Sequence, residues 1–174
     1  IFKRQIFSLQ HINDVSLLKR EALTRDIEFR IEGYDVAHIS GSSPVGVMVV
    51  IIDSEPALSA YRKFKIRSPG GSDDLASLAE ILERRLGHNE WPLPKLIVVD
   101  GGALHKRTAE RVLRDAGIEI PVVAVVKTEK HMPRAILGRS SFVAEHERGI
   151  LLANHEAHRS AKNYHNTLEE KRMR

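Results

Sequence analysis

Apolar positions change their spacing along this chain, and the changes divide it into stretches of different kinds. Phe2 to Asp14 mixes apolar and polar residues with no clean period, and Ser16 to Arg30 is rich in charges of both signs. Residues 1–29 therefore read as a connector that leads into a main domain, 30–174. Phe29 to Ile39 is apolar and β-branched enough for a strand. Ser40-Gly41-Ser42-Ser43-Pro44 is a dense turn signal. Val45 to Ile52 is a continuous apolar run and predicts a buried strand. Asp53-Ser54-Glu55-Pro56 predicts another turn, and Ala57 to Ile66 a third strand. Three strands joined by short turns predict an antiparallel meander.

Helical spacing takes over beyond the Pro/Gly/Ser loop at Ser68–Ser72. Asp73 or Ser72 can cap a helix running to about Leu86, with Leu75, Leu78, Ile81, Leu82 and Leu86 on one face. Leu96 to Asp100 predicts a buried strand that ends in an acid. Gly101-Gly102 turns the chain into a helix over Leu104 to Ala116, stopped at Gly117. Pro121 to Val126 predicts a further buried strand, and Ser141-Phe142-Val143 a short segment pairing at an edge. From Glu147 the pattern is helical nearly to the end. This order of elements is that of the ribonuclease-H-like fold, an α/β class with a mixed five-stranded sheet and helices on both faces.

Composition narrows the chemistry. The 174 residues are 42% hydrophobic and 29% charged, ordinary values for a globular chain. There is no cysteine, so thiol nucleophiles, disulfides and Cys-ligated metals are excluded, and any metal must sit on His, Asp or Glu. The net charge of +4 suits a polyanionic partner. With aromatics at 5%, nucleic acid would be held through its phosphates and not on a base-stacking platform. No run approaches a membrane span, no signal peptide opens the chain, and Ile1 in place of Met predicts a piece of a longer protein. The expectation is a cytoplasmic, monomeric piece with no membrane partner.

Two acids stand out against this pattern. Asp35 lies inside an expected central strand, where an ionised carboxylate is costly unless a cation or hydrogen bonds compensate it. Asp100 ends an apolar strand before Gly101-Gly102, at the strand end where ligands collect in α/β sheets. Each acid alone has an ordinary explanation, edge exposure for the first and helix capping for the second. In a ribonuclease-H-like sheet the two strands are neighbours. The acids then converge on a site for a hard divalent cation. The last helix has a stripe of Ile150, Ala153, Ala157, Ala161, Tyr164 and Leu168, beside another of Leu151, His155, His158, Lys162 and His165. His155 and His158 are three residues apart, not the four of the His-Glu-x-x-His zinc signature, and spacing alone does not choose between them. Arg62, Lys63, Lys65 and Arg67 alternate along a strand, so only a subset can meet one phosphate backbone. Lys127 closes the fifth strand at the end where the acids gather, placed to meet a phosphate or to neutralise them.

Five segments occur in a telling order: Arg30-Ile31-Glu32-Gly33-Tyr34-Asp35-Val36-Ala37-His38, Tyr61-Arg62-Lys63-Phe64-Lys65-Ile66, Asp73-Asp74, Ile97-Val98-Val99-Asp100-Gly101-Gly102 and Glu156-Ala157-His158-Arg159. Together they resemble the C-terminal nuclease domain of the UvrC proteins, the incision subunits of bacterial nucleotide excision repair. The likeness runs from about Arg30 to Lys162, and His11 to Leu18 resembles the segment leading into that domain. It implies an Asp-Asp-His site of Asp35, Asp100 and His158 holding Mn2+ or Mg2+, with Asp74 a further acid that affects incision. It also implies damaged duplex DNA as substrate, cut 5′ to the lesion, and a UvrB-like damage-loading subunit as partner. Arg62, Lys63, Lys127 and Arg159 are the expected phosphate contacts. The chain departs from the family's pattern at Ala103-Leu104-His105, where Lys-Gly-Gln is usual, at Asn154-His155 for Arg-Asp, and at Ser160 for Phe. The rival readings are a nuclease of the same fold acting on branched DNA or an RNA–DNA hybrid, and a catalytically silent docking module.

Overall fold

The computed structural model describes residues 28–37, 44–67, 73–128 and 133–172, without the side chains of 165 and 168–172. Most of the expected connector, the Ser68–Ser72 loop, and the side chains of His165 and Leu168 lie outside the described residues. The elements are β1 (Arg30–Ala37), β2 (Val45–Ile52), β3 (Glu55–Pro56), a 3-10 turn (Leu58–Ala60) and β4 (Arg62–Lys65). They continue as α1 (Asp74–Leu86), β5 (Leu96–Asp100), α2 (Ala103–Asp115), β6 (Val122–Lys127), β7 (Pro133–Leu137) and α3 (Ser140–Arg172). The strands form one mixed sheet in the order β3-β2-β1-β5-β6-β7, with β4 also on β2. β1 runs antiparallel to β2 and parallel to β5; β6 is parallel to β5 and antiparallel to β7.

The sheet has seven strands, not five. Of the expected third strand, Ala57–Ile66, only β4 forms, after the 3-10 turn, and β3 arises inside the expected turn Asp53–Pro56; β3 pairs with one end of β2 and β4 with the other. The ladder with β2 runs on to Ala57, whose N–H donates to the Val50 carbonyl oxygen at 2.8 Å, and the chain then steps out through the 3-10 turn and returns at Arg62. The far edge also differs. Ser141-Phe142-Val143 is not an edge segment but the first turn of α3, which begins at Ser140, and β7 is the edge strand instead. Phe142 and Val143 pack in one cluster with Ile150 and Ala153, as helical spacing allows and strand alternation does not.

Strand alternation sorts the core onto two faces. Tyr34, Met48, Val50, Phe64, Ile97 and Val99 face α1 and α2, meeting Leu78, Ile81, Leu82, Ala109 and Leu113. Ile31, Ile51, Leu96, Val98, Val123 and Val125 face α3 at Ile150 and Ala153, and Val47 and Val49 meet its Ala157 and Ala161. Small residues bring α3 close. A Cβ on Gly33 would stand 2.7 Å from the Ala153 carbonyl oxygen. α1 is capped by Asp73, whose carboxylate accepts from the N–H groups of Leu75 and Ala76. Under the sheet centre lies a charged cluster with no exposure to solvent at its hub. Glu32, fully buried, accepts from Arg30, Arg85 and the Tyr34 hydroxyl at 2.7–3.2 Å.

Candidate active site

Two parallel neighbouring strands bring the acids together. Tyr34 pairs with Val99, so the next residues, Asp35 and Asp100, leave β1 and β5 at one level. Both point to the α3 face, since Gly33 meets α3 on β1 and Leu96 and Val98 do on β5. α3 passes over them with the Ala153/Ala157 stripe against the sheet, which turns His158 toward the acids. Its Nδ1 lies 3.2 Å from Asp35 Oδ2 and 4.0 Å from Asp100 Oδ2. His155 is exposed and outside this cluster. Sequence spacing left the two histidines equivalent; the packed stripe separates them.

Asp35, Asp100 and His158 offer ligand atoms that all lie within 4.8 Å of one another. Two carboxylates and an imidazole are a donor set suited to a divalent metal ion, and the partial exposure of His158, 43%, leaves ligand positions open to water or substrate. The residues therefore fit a divalent ion. Asp35 and Asp100 line, with others, a cavity of ≈ 250 Å³ at the carboxyl ends of the parallel strands. Its wall includes Asp35, Asp100, Asp74, Lys127, Gly101 and His105. Asp74, the first residue of α1, thus faces the same space as the other acids. Gly101 has φ +132°, and a Cβ there would stand 2.5 Å from the His105 ring, so glycine is required for both its backbone and its neighbour.

The electrostatics follow from burial. Asp35 is pushed above the usual carboxylate range, first by desolvation and then by the Asp100 charge, against the opposing pull of Lys127 and His158. A raised folded value means that Asp35 stabilises the metal-free fold most below its unfolded value. That contribution is lost as pH rises through the folded value. Asp35→Asn removes the penalty. In chelator at neutral pH the variant should melt higher than the parent chain, and the difference should shrink as pH falls toward 4. A variant that melts lower at neutral pH would refute this.

The other expected residues are placed as follows. Lys127 Nζ lies 2.7 Å from Asp100 Oδ2. Lys63, paired with Val47, stands on the α3 face, its ammonium 4.3 Å from the centre of the Tyr164 ring. Arg62 points to the opposite face, bonded to the Ser59 and Tyr61 carbonyl oxygens and lying over Trp91. Arg159 is half-exposed and bidentate with Glu156. Glu156 also accepts from the Tyr61 hydroxyl at 2.8 Å, which ties the turn of α3 that carries His158 to the start of β4. Arg159 above all, with Tyr61, holds the Glu156 carboxyl below the usual range. Three cavity or cluster residues went unread as site residues in the sequence: Asn154, whose amide reaches Asp100 Oδ1 at 3.4 Å, His105 and Tyr61. The one trace of the first two was their departure from the resemblance.

Among the described residues, no helix is long and apolar enough to cross a membrane. Residues 20–168 match the UvrC RNase H endonuclease domain family. The UvrABC system protein C of Caldanaerobacter subterraneus subsp. tengcongensis is 33% identical over 213 residues, covering 99% of this chain and 34% of that protein. That of Clostridium perfringens is 36% identical over 197 residues, covering 98% and 32%. The chain thus spans about a third of the length of these relatives. Among solved structures, Ciona intestinalis Endonuclease V in complex with an inosine-containing DNA aligns at 19% identity and a TM-score of 0.43, over 71% of this chain and 56% of that one. The match over 149 of 174 residues, on the same chain that brings Asp35, Asp100 and His158 into one cluster, makes this protein a member of the UvrC RNase H endonuclease domain family.

Proposed function

We propose that this chain is a divalent-metal-dependent DNA endonuclease module that makes the incision 5′ to a lesion. It acts in the bacterial cytoplasm, in an assembly with a UvrB-like damage-loading subunit. The observation that carries the reading is the convergence of Asp35, Asp100 and His158 at one end of the sheet. Those three residues hold the metal, Mn2+ or Mg2+. When bound, the ion activates water as the nucleophile and stabilises charge on the leaving 3′-oxygen. Asp35 and Asp100 supply the carboxylate oxygens from rigid neighbouring strands, and His158 adds its Nδ1 from α3. The Tyr61–Glu156–Arg159 bonds fix the height of that turn. Asp74 acts from the wall of the same cavity. Lys63, Lys127 and Arg159 supply the phosphate contacts and hold the strand without reading its sequence. Arg62 is committed to carbonyl oxygens on the other face and contributes to the fold of that edge.

The test combines binding and activity. Millimolar Mn2+ should raise the melting temperature of the chain above its value in chelator, because the ion binds only the folded acid cluster. The same ion should support conversion of supercoiled plasmid to the nicked form. An unchanged melting temperature together with no metal-dependent nicking would overturn the reading.

A further inference from the structure

Lys127 is expected to meet a phosphate or to neutralise the acids, and its position bears on both. It ends β6, and its Nζ lies against Asp100 Oδ2 at 2.7 Å, the oxygen that also faces His158 Nδ1. The pair is withdrawn from water, with the lysine side chain 13% exposed and the aspartate 18%. The ammonium therefore stands inside the acid cluster, on a carboxylate oxygen of a candidate metal ligand.

We propose that Lys127 is the resident counter-ion of the acid cluster, which a divalent cation displaces on binding. The inference rests on the metal-dependent reading above. In the metal-free protein the ammonium holds Asp100 in position at one carboxylate oxygen, as the Asn154 amide does at the other. A divalent ion sits about 2.1 Å from a carboxylate oxygen, so an ammonium on that same oxygen would face a double positive charge at close range. Lysine carries its charge on a flexible four-carbon stem and can yield. Lys127 itself lines the ≈ 250 Å³ cavity, which gives the displaced ammonium room, and a substrate phosphate oxygen there gives it a new partner. One residue would then neutralise the empty site and grip the substrate in the loaded one.

The two roles predict effects of opposite sign. Lys127→Met should bind Mn2+ about tenfold more tightly by titration calorimetry, because the competing cation is gone. The same variant should nick plasmid more slowly at saturating Mn2+. Lys127→Arg keeps the charge and should stay near the parent affinity. In the parent chain, Mn2+ should also speed acylation of the Lys127 amine by a water-soluble anhydride, read by peptide mass spectrometry. Circular dichroism monitors folding, and Lys127→Gln replaces the methionine variant if that one does not fold. Equal or weaker Mn2+ binding by the neutral variant, or acylation of Lys127 that Mn2+ leaves unchanged, would overturn the displacement while leaving the metal site standing. A parent chain that binds no Mn2+ would sink both.

Discussion

Asp35→Asn, Asp100→Asn and His158→Ala are each expected to cut Mn2+-dependent nicking of supercoiled plasmid by about two to three orders of magnitude, the scale at which one charge-stabilising group acts. Each substitution removes one of three donors whose ligand atoms lie within 4.8 Å of one another. The carboxylates come from adjacent paired strands, which fix where each one stands. Far-ultraviolet circular dichroism should stay that of the parent chain, because none of the three side chains packs in the core clusters. His155→Ala, on the exposed face of the same helix, should keep measurable nicking. The two histidine variants form the sharp comparison. A dead His155→Ala beside an active His158→Ala would place the ligand on the wrong turn of α3 and break the assignment.

The second large effect is on stability. Glu32→Gln should destabilise the fold by about 3–5 kcal/mol, the cost of leaving buried charges unpaired. At this chain length that corresponds to a fall in melting temperature of roughly ten degrees. Glu32 is 0% exposed and Arg85 2%, and the glutamate accepts from Arg85 and Arg30 as well as from Tyr34. A neutral amide leaves two guanidiniums facing each other in the core. Replacing the hub and its deepest partner together, as Glu32→Leu with Arg85→Met, should cost less than the two single changes summed, because no Glu32–Arg85 charge is left without its opposite. Thermal and urea melts followed by circular dichroism measure both. A Glu32→Gln loss below about 1 kcal/mol would mean that water reaches the cluster and screens it. Because Glu32 and Asp35 share β1, the same strand carries a structural charge toward α1 and a candidate metal ligand toward α3.

Much of the architecture was legible in the residues. The continuous apolar runs at Val45–Ile52, Leu96–Asp100 and Val122–Lys127 are strands, and the capped periodic stretch after Asp73 is a helix. These signals are local: alternation, periodicity and caps report contacts within a few residues. The misreadings were also local ambiguities. Ser141-Phe142-Val143 is too short for periodicity to tell a strand from a helical turn, and Pro133–Leu137 carries a proline and an arginine that mask an edge strand.

By itself the sequence determined which residues alternate, which repeat with a helical period, and that two acids end or interrupt apolar strands. Those properties follow from the chemistry of neighbouring side chains. Only the tertiary structure seats His158 and not His155 against Asp35, puts Lys63 and not Arg62 on the α3 face, and brings Glu32 to Arg85 across 53 residues of chain. Each of those outcomes depends on the height and rotation at which a helix seats on the sheet. Close packing sets both: the Ala153 backbone rests against Gly33, and Ala157 and Ala161 lie against Val47 and Val49. A shift of three residues along α3, just under one turn, would present His155 to the same two acids.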